Sequence, residues 1–502
     1  MSRSLLLLSL LLFPFFGTCV RAQSDVTPRV LPVRVEDALR FGLTDPIGSA
    51  RFLGTGGSMT PIGVDATVLH TNPAGIGWNR FSMAQITPGY SNLNTDATLT
   101  NGGRSATTSL AKGNFFIPSA SFIYATETNS VNWSTLNFGV SYSRLANFHE
   151  SISYNGRSEG GIIDGVIENL NDGFPDPFRD ELAERIPNVI QEDDQGFFSD
   201  FDLESSAGGQ ISRTGSVERT GGISELAFGF GGNYRESILW GLTIGIPSIN
   251  FTETRVYDEV DDQDEITFFD DAGFDENLEL SGSGFNLKFG LIGRIGEQLR
   301  LSGAIHSPTF WTVDEEYSTV FEYNFTDQGV AQGGTEPSAI SLTTFNIRTP
   351  WRFLVGAGYL IGRTGFLSVD ADYSDFRGTS FGFDDFLEVD EASNADVDNA
   401  LSNSFGLRVG GELNLRPVQL RLGASYRTLP VQDLRNDEDA GTVALSAGAG
   451  YSKGKFFIDL GVRAENNASY YAPYRTFAFD GQVVATDRTR LTGLVTVGLR
   501  GL

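Results

Sequence analysis

From about Phe81 to the C-terminus the chain repeats a two-residue alternation of apolar and polar side chains, and the alternating segments are joined in turn by a tight connection and a long one. Leu367, Val369, Ala371 and Tyr373 alternate with Ser368, Asp370, Asp372 and Ser374. Leu420, Leu422, Ala424 and Tyr426 alternate in the same way with Arg421, Gly423, Ser425 and Arg427. Period two puts one set of side chains on each face of a strand. A soluble sheet with one wet face alternates alike, so the connections decide between the two. The predicted strands run Phe81 to Ser91, Asn114 to Thr126, Trp133 to Ala146, Gly222 to Arg235, Ile238 to Thr254, Gly282 to Ile295 and Gln298 to Glu322. They continue with Ile340 to Gly362, Thr364 to Phe376, Leu401 to Asn414, Val418 to Thr428, Thr442 to Ser452, Lys455 to Glu465 and Thr489 to Gly501, about fourteen in all. Ser130, Glu236, Gly296, Arg363, Pro417 and Gly454 mark the tight joints, and the intervening joints are long and hydrophilic. Short turns at one rim and long loops at the other are the pattern of an all-β transmembrane antiparallel barrel in an outer membrane, with residues 81–502 as its wall. Trp78, Trp133 and Trp240 are expected in an aromatic girdle at the short-turn rim.

The N-terminus agrees with export. Arg3 precedes an apolar run from Leu5 to Phe16, and Val20-Arg21-Ala22 places small residues for cleavage after Ala22, so residues 1–22 read as a signal peptide. That run falls short of the roughly 20 residues a spanning helix needs. Cys19, the sole cysteine, lies in the removed segment, and Phe16-Gly17-Thr18 before it is a poor lipidation box. An exported chain without spanning helices enters a bilayer only as a closed barrel, because every backbone N–H and C=O in lipid needs a partner.

The formal charge of -27 excludes a nucleic-acid partner. It is concentrated in three long joints. Asn147 to Gly221 holds sixteen acids against five arginines, Arg255 to Ser281 eleven against one, and Arg377 to Ala400 seven against one. These joints account for the whole net charge, so the wall is nearly neutral beneath an acidic extracellular crown. The acidic runs read first as solvated surface. Carboxylate-rich loops also suit hard cations, but none has the calcium-loop spacing, and no metal or other cofactor is assigned. In the longest joint, Asp176-Pro177 reads as a helix start followed by Phe178, Leu182, Ile186 and Ile190 at helical spacing. Ile162, Val166 and Leu170 mark a second, shorter helix.

Residues 23–80, rich in Gly and turn residues, fit no membrane strand and are expected to form a periplasmic tail or a plug inside the barrel. Ala38-Leu39-Arg40-Phe41, Ala50-Arg51-Phe52-Leu53-Gly54-Thr55-Gly56-Gly57-Ser58, Asp65 and Asn72-Pro73-Ala74-Gly75-Ile76 resemble the N-terminal hatch of the FadL/TodX family, in the form found in Bacteroidetes-type bacteria. Ala304-Ile305-His306-Ser307-Pro308-Thr309 and Thr349-Pro350-Trp351-Arg352-Phe353 also look like family segments. Val64-Asp65 departs from the paired acids common in the family, and Leu502 from the commoner aromatic terminus. The resemblance implies an outer-membrane transporter for hydrophobic compounds such as long-chain fatty acids. It captures its ligand at the extracellular mouth and passes it sideways when the hatch shifts, with Gly54, Gly56, Gly57, Asp65, Asn72, Pro73, Ala74 and Gly75 as hatch residues. The partners implied are a hydrophobic small molecule and outer-membrane lipid.

Pro73 fixes φ and lacks a donor while Gly75 permits unusual angles, so the segment makes a sharp bend whether or not it moves. Alternation puts Lys288, Arg294, Asp370, Asp372, Arg408, Glu412, Arg421, Arg427, Asp459 and Arg463 on the luminal face. They are expected to pair across the lumen, or one arginine to receive a ligand carboxylate; the sequence leaves the ligand and its contacts open. The rival to transport is a structural or secretion-associated barrel acting through a partner protein. Enzymatic function is not expected: His70, His149 and His306 are the only histidines, and His306 and Ser307, as strand neighbours, point to opposite faces.

Overall fold

The computed structural model describes residues 33–99, 104–194, 196–201, 209–266, 268–383, 387–432, 441–474 and 483–501. The expected signal peptide, Cys19, the start of the plug up to residue 32 and Leu502 lie outside them. The wall strands are β1 (Met83–Leu99), β2 (Thr107–Glu127), β3 (Trp133–Asn147, then Glu150–Ser158), β4 (Ile211–Tyr234), β5 (Ile238–Val260), β6 (Asp271–Ile295) and β7 (Leu299–His306, then Phe310–Asp327). They continue as β8 (Ser341–Arg348, then Arg352–Ile361), β9 (Gly365–Asp375), β10 (Asn403–Leu415), β11 (Val418–Thr428), β12 (Gly441–Lys453), β13 (Phe456–Tyr471) and β14 (Val484–Arg500). Each pairs antiparallel with the next, and β1 pairs with β14, Met83 opposite Arg500, which closes a 14-strand barrel. Closure removes the sheet edge, so backbone groups at membrane depth are paired within the wall.

The tight joints fall where the sequence puts them. At β4–β5, Arg235 and Glu236 take positive φ of 52° and 55° in a turn closed by Ser237 N donating to Tyr234 O (3.0 Å), the left-handed conformation that suits the twist of the flanking strands. The outward faces form one apolar belt. On β4, Leu226, Phe228 and Phe230 are exposed, and beside them on β5 so are Leu242, Ile244 and Ile246. An exposed apolar surface of this extent is stable only against lipid. Trp133 and Trp240 lie edge to face at one rim, 6.3 Å between ring centroids. Trp78 departs from the expected girdle: it ends a 3-10 turn of the N-terminal segment and lies under the Arg300 guanidinium, 4.0 Å from its ring centre.

Several strands run past their predicted ends. Residues 92–99, 211–221, 255–260 and 271–281 continue the wall above the apolar belt, so parts of three joints taken as loops are strand. A membrane strand needs only about 9–11 residues, and above that depth water wets the outer face, so the apolar side chains change to the inner face, as Leu93, Leu99, Ala272, Phe274 and Leu280 do. β7 breaks at Ser307–Thr309 and β8 at Thr349–Trp351, each around a proline that offers no N–H to the ladder. The two breaks lie side by side and repair each other: Thr349 N donates to Thr309 O (3.1 Å) and Thr309 N to Thr349 Oγ1 (2.9 Å).

The mouth is roofed. Helix α3 (Ile162–Asp172) and the short α4 (Asp180–Arg185) pack Ile163, Val166 and Leu182 onto inward residues of the strand extensions, among them Ile152, Tyr257 and Phe321. Asp176 starts the α4 turn, its Oδ1 accepting from Phe178 N (2.9 Å), but the helix ends at Arg185, and Asn188 with a φ of 64° turns the chain before Ile190. The predicted order of lengths is therefore reversed. Crown acids are also not uniformly solvated. Glu259 is buried, accepts from Ile162 N at the start of α3 (3.0 Å) and pairs with the fully buried Arg213.

A charge placed on the belt tests the assignment of the two faces. Ile244→Arg is expected to destabilise the barrel by about 2–4 kcal/mol, whereas Thr254→Arg, on the same outward face above the belt, changes it by about 1 kcal/mol or less. Urea titration of folding into lipid vesicles measures both.

Candidate functional site

The N-terminal segment fills the lumen. Helix α1 (Val33–Gly42) buries Val35, Ala38 and Phe41 among Phe251, Trp311 and Phe345 from the wall. Below it, helix α2 (Ala50–Gly54) is capped by Ser49, whose Oγ accepts from Phe52 N (3.0 Å). The chain then turns through Gly56 and Gly57 at φ 65° and 76°, a region that disfavours side chains. There its backbone lies directly on the inward glycines of β10 and β11: a Cβ at Gly410 or Gly423 would strike Thr55 or Gly56. A run of hydrophobic residues cannot provide that approach, which accounts for some of the 59 glycines in the chain.

On the opposite wall, Asp65 caps the turn Ala66–His70 through Thr67 N (2.9 Å) and accepts from Ser49 Oγ (2.6 Å), tying the two halves of the plug together. Asn72 caps Pro73–Trp78, its Oδ1 accepting from Ala74 N (3.1 Å), while its Nδ2 donates to Thr60 O (3.2 Å) and to Leu291 O of β6 (3.3 Å). Pro73 lies at the first helical position beside Gly241 and Gly290, Ala74 packs on Leu239 and Ile292, and Gly75 packs on Gly63. The eight hatch residues of the resemblance thus lie in two places, Gly54, Gly56 and Gly57 against β10–β12, and Asp65 with Asn72–Gly75 on the side of β4–β6.

Charge fixes the plug to the wall. Asp45 receives Arg352 (3.0 Å), Arg408 (3.0 Å) and Arg427, which also surround Asp372 of β9. Burial pushes the Asp45 carboxyl up, but the three guanidiniums outweigh it and hold it well below the usual carboxylate range. Arg51 grips Glu412 with two bonds of 2.8 and 3.1 Å, and Thr60 N and Oγ1 donate to Asp370. Of the luminal residues predicted, Asp370, Asp372, Arg408, Glu412, Arg421, Arg427 and Asp459 enter such pairs, many of them to the plug rather than across an open lumen. Arg294 does not; it bonds Gly296 O at the rim.

One stretch of wall is incomplete. β2 and β3 pair from Glu127 opposite Thr135 to Ser119 opposite Ser143, and there this ladder stops. Pro118 follows on β2 without a donor. On β3 the register against β4 shifts between Arg144 and Ala146, and the carbonyls of Arg144 and Leu145 turn to the plug, accepting from Ile47 N (3.0 Å) and Asp45 N (2.9 Å). The gap lies at membrane depth, since Phe115 and Ile117 beside it face outward at 86% and 50% exposure. Asn147 Nδ2 donates across it to Asn114 Oδ1 (3.2 Å). Inside lies a cavity of ≈ 280 Å³. Leu43, Ile47, Leu145 and Phe148 of the plug and β3 form its apolar part, and Arg408, Arg427, Arg463 and Arg490 of β10, β11, β13 and β14 its basic part. Asp45, Leu145 and Arg490 were not singled out from sequence. Arg490 has the inward parity of Thr492 and was within reach; Leu145 gives no signal beyond the proline facing its strand.

The histidines are structural in their surroundings. His70 lies between Glu225 (2.8 Å) and Ser141 (3.1 Å), and burial pushes its imidazole down more than Glu225 raises it. Ser141, His70 and Glu225 have the order of a nucleophile, base and acid. All three are buried between plug and wall, and Lys288 occupies Glu225 (2.6 Å), so no substrate carbonyl reaches Ser141. His306 donates to Thr71 O (2.6 Å), and His149 bonds Asn147 (2.9 Å).

A closed barrel with an apolar belt, a sorted set of turns and a plugged lumen is an outer-membrane β-barrel protein. No protein-family profile matches the chain, and no curated protein matches it in sequence. Among solved structures it is similar to a Pseudomonas aeruginosa FadL homologue (TM-score 0.56, 9% identity, covering 92% of this chain and 100% of that one). It is also similar to the Pseudomonas putida toluene transporter TodX (TM-score 0.50, 11% identity, 92% and 100% covered). In fold, the protein is of the FadL/TodX type.

Asp45→Asn leaves Arg352, Arg408 and Arg427 with Asp372 as the carboxylate they share. Asp45 is part-buried, and losing hydrogen bonds to a charged group costs about 1.5–3 kcal/mol. The expected result is a lower unfolding midpoint in detergent and faster protease cleavage of residues 43–57, with the wall still closed.

Proposed function

We propose that the protein takes up hydrophobic compounds, long-chain fatty acids among them, across the outer membrane, and that the cargo leaves sideways through the gap between β2 and β3. The observation that carries this reading is the coincidence of three features: an interrupted wall at membrane depth, a part-apolar cavity behind it, and a plug segment hydrogen-bonded to the interrupted edge. Each methylene moved through water costs about 0.8 kcal/mol relative to an apolar phase, so a lateral exit into lipid spares an alkyl chain the aqueous passage a porin would impose. Residues 43–47 of the plug supply the donors for Arg144 and Leu145, so a shift of the plug and an opening of the gap are one movement. This is the sense in which the hatch acts as a gate. A cavity lined by both Leu145 and Arg490 also suits a small amphiphile better than the charged surface a partner protein would need.

The test is a reversible tether. Asn114 and Asn147 touch across the gap, and the chain beyond residue 22 has no cysteine, so Asn114→Cys with Asn147→Cys places two thiols there alone. In cells lacking their own carrier, oxidation is expected to reduce uptake of radiolabelled hexadecanoate to that of cells without the protein, and reduction to restore it. Undiminished uptake through a fully cross-linked barrel would refute the lateral route.

A further inference from the structure

The short-turn rim carries charge of the opposite sign to the crown, and on one side of the barrel that charge has no partner. Arg363 lies between β8 and β9, Arg416 between β10 and β11, and Lys453 and Lys455 flank Gly454 between β12 and β13, with no acid in any of the three turns. All four are exposed, and among the described residues their side chains make no hydrogen bond or ion pair. Bases elsewhere on the rim are engaged: Arg80 pairs with Glu236 (3.0 Å), and Arg235 bonds Asn132 (2.8 Å). The turn beneath the gap, residues 128–132, has no base and follows Glu127. In a closed ring of fourteen strands the three basic turns lie across the barrel from the β2–β3 junction, so they form an arc facing away from the gap.

Depth decides what such an arc can meet. Ile361, Leu415 and Phe456, the exposed apolar residues that end these hairpins on the lipid side, lie within two positions of Arg363, Arg416 and Lys455. A strand rises about 3.4 Å per residue, and the headgroup zone extends roughly 5–8 Å beyond the hydrocarbon, so the bases stand at the depth of the lipid phosphates. Turns this short project no further, and a folded periplasmic protein would reach them only by displacing the headgroups. From this geometry we propose that Arg363, Arg416, Lys453 and Lys455 bind the phosphate headgroups of anionic phospholipids in the periplasmic leaflet, and so gather acidic lipid on the side of the barrel away from the gap. A zwitterionic headgroup brings its own cation and leaves the four charges uncompensated, whereas each anionic headgroup neutralises one of them. The proposal is independent of the uptake reading, since it concerns the lipid around the wall and not the cargo within it.

The probes are phosphatidylglycerol and phosphatidylcholine with identical brominated chains, which quench a fluorophore they touch. The chain beyond residue 22 has no cysteine, so a bimane label is placed through Leu413→Cys on β10, beside the arc, or through Tyr124→Cys on β2, beside the turn without a base; both side chains are exposed to lipid. Each labelled protein is folded into vesicles of the two lipids at low salt, and the heat-dependent gel migration of a closed barrel verifies folding. At position 413 phosphatidylglycerol is expected to associate at least about fivefold more strongly than phosphatidylcholine, the factor for one basic residue near an anionic surface, and at position 124 the two associate equally. Changing all four bases to glutamine is expected to abolish the preference at 413, and Arg363→Lys with Arg416→Lys to keep it, because the charge and not the shape of the side chain does the binding. Equal association at 413 with the four bases in place, a preference that persists in the glutamine variant, or the same preference at 124 would overturn the proposal. The first of these is the result expected if the arc docks an acidic protein instead.

Discussion

A backbone inside a bilayer must find all its hydrogen bonds within the protein, and this chain meets that requirement in two ways. Thirteen of the strand junctions are carried through by ladders, if the repaired proline breaks of β7 and β8 are included. At the junction of β2 and β3 the ladder ends early, and the wall's own neighbour is replaced by the plug. Asp45 N and Ile47 N serve Leu145 O and Arg144 O as a strand would. The plug is therefore part of the wall at this point, and in its docked position it completes the hydrogen bonding of the interrupted edge.

That role explains the density of charge around residues 43–57. A segment held only by apolar contact slides easily, because such contact is non-directional. Asp45 with its three arginines and Arg51 with Glu412 fix a position as well as an affinity. Buried pairs of this kind gain little net stability over apolar packing, but breaking one partner is expensive, so the docked state is separated sharply from any other. The glycines of β10 and β11 complete the arrangement. They let the plug backbone approach to where these side chains reach, and a wall of larger residues would hold it away.

The barrel was legible because its signal is repeated: fourteen alternating segments, each weak, sorted by the length of their joints. The strands cut short at their upper ends, such as Asp271 to Ser281, carry their apolar residues Ala272, Phe274 and Leu280 on the inner face, and the acids between them made the segment read as a hydrophilic joint. The luminal charges were legible from parity, down to Asp372 and Arg427, yet their partners were not, since pairing with Asp45 spans more than three hundred residues and follows only from threading the plug through the barrel. The eight hatch residues came from resemblance, and their bends agree with the capping chemistry of Asp65 and Asn72. The interrupted wall had the faintest trace. Pro118 lies in a segment that otherwise reads as an ordinary strand, and nothing local shows that Leu145 opposite it will turn inward.

The acidic crown at first sight opposes an acidic cargo. Its field, however, is a surface field: at physiological ionic strength it falls off within about 8 Å. Inside the roof the charges are balanced, with Arg219 held by Glu150 and Glu253, and Arg255 by Glu253. Below them the sign reverses, because the cavity is lined by Arg408, Arg427, Arg463 and Arg490 against Asp45 and Glu465 only. An anion that has passed the roof therefore meets a rising attraction in a medium where water screens little, and screening salt lowers the barrier outside far more than it weakens the attraction within. The crown and the cavity beneath the roof thus present opposite signs.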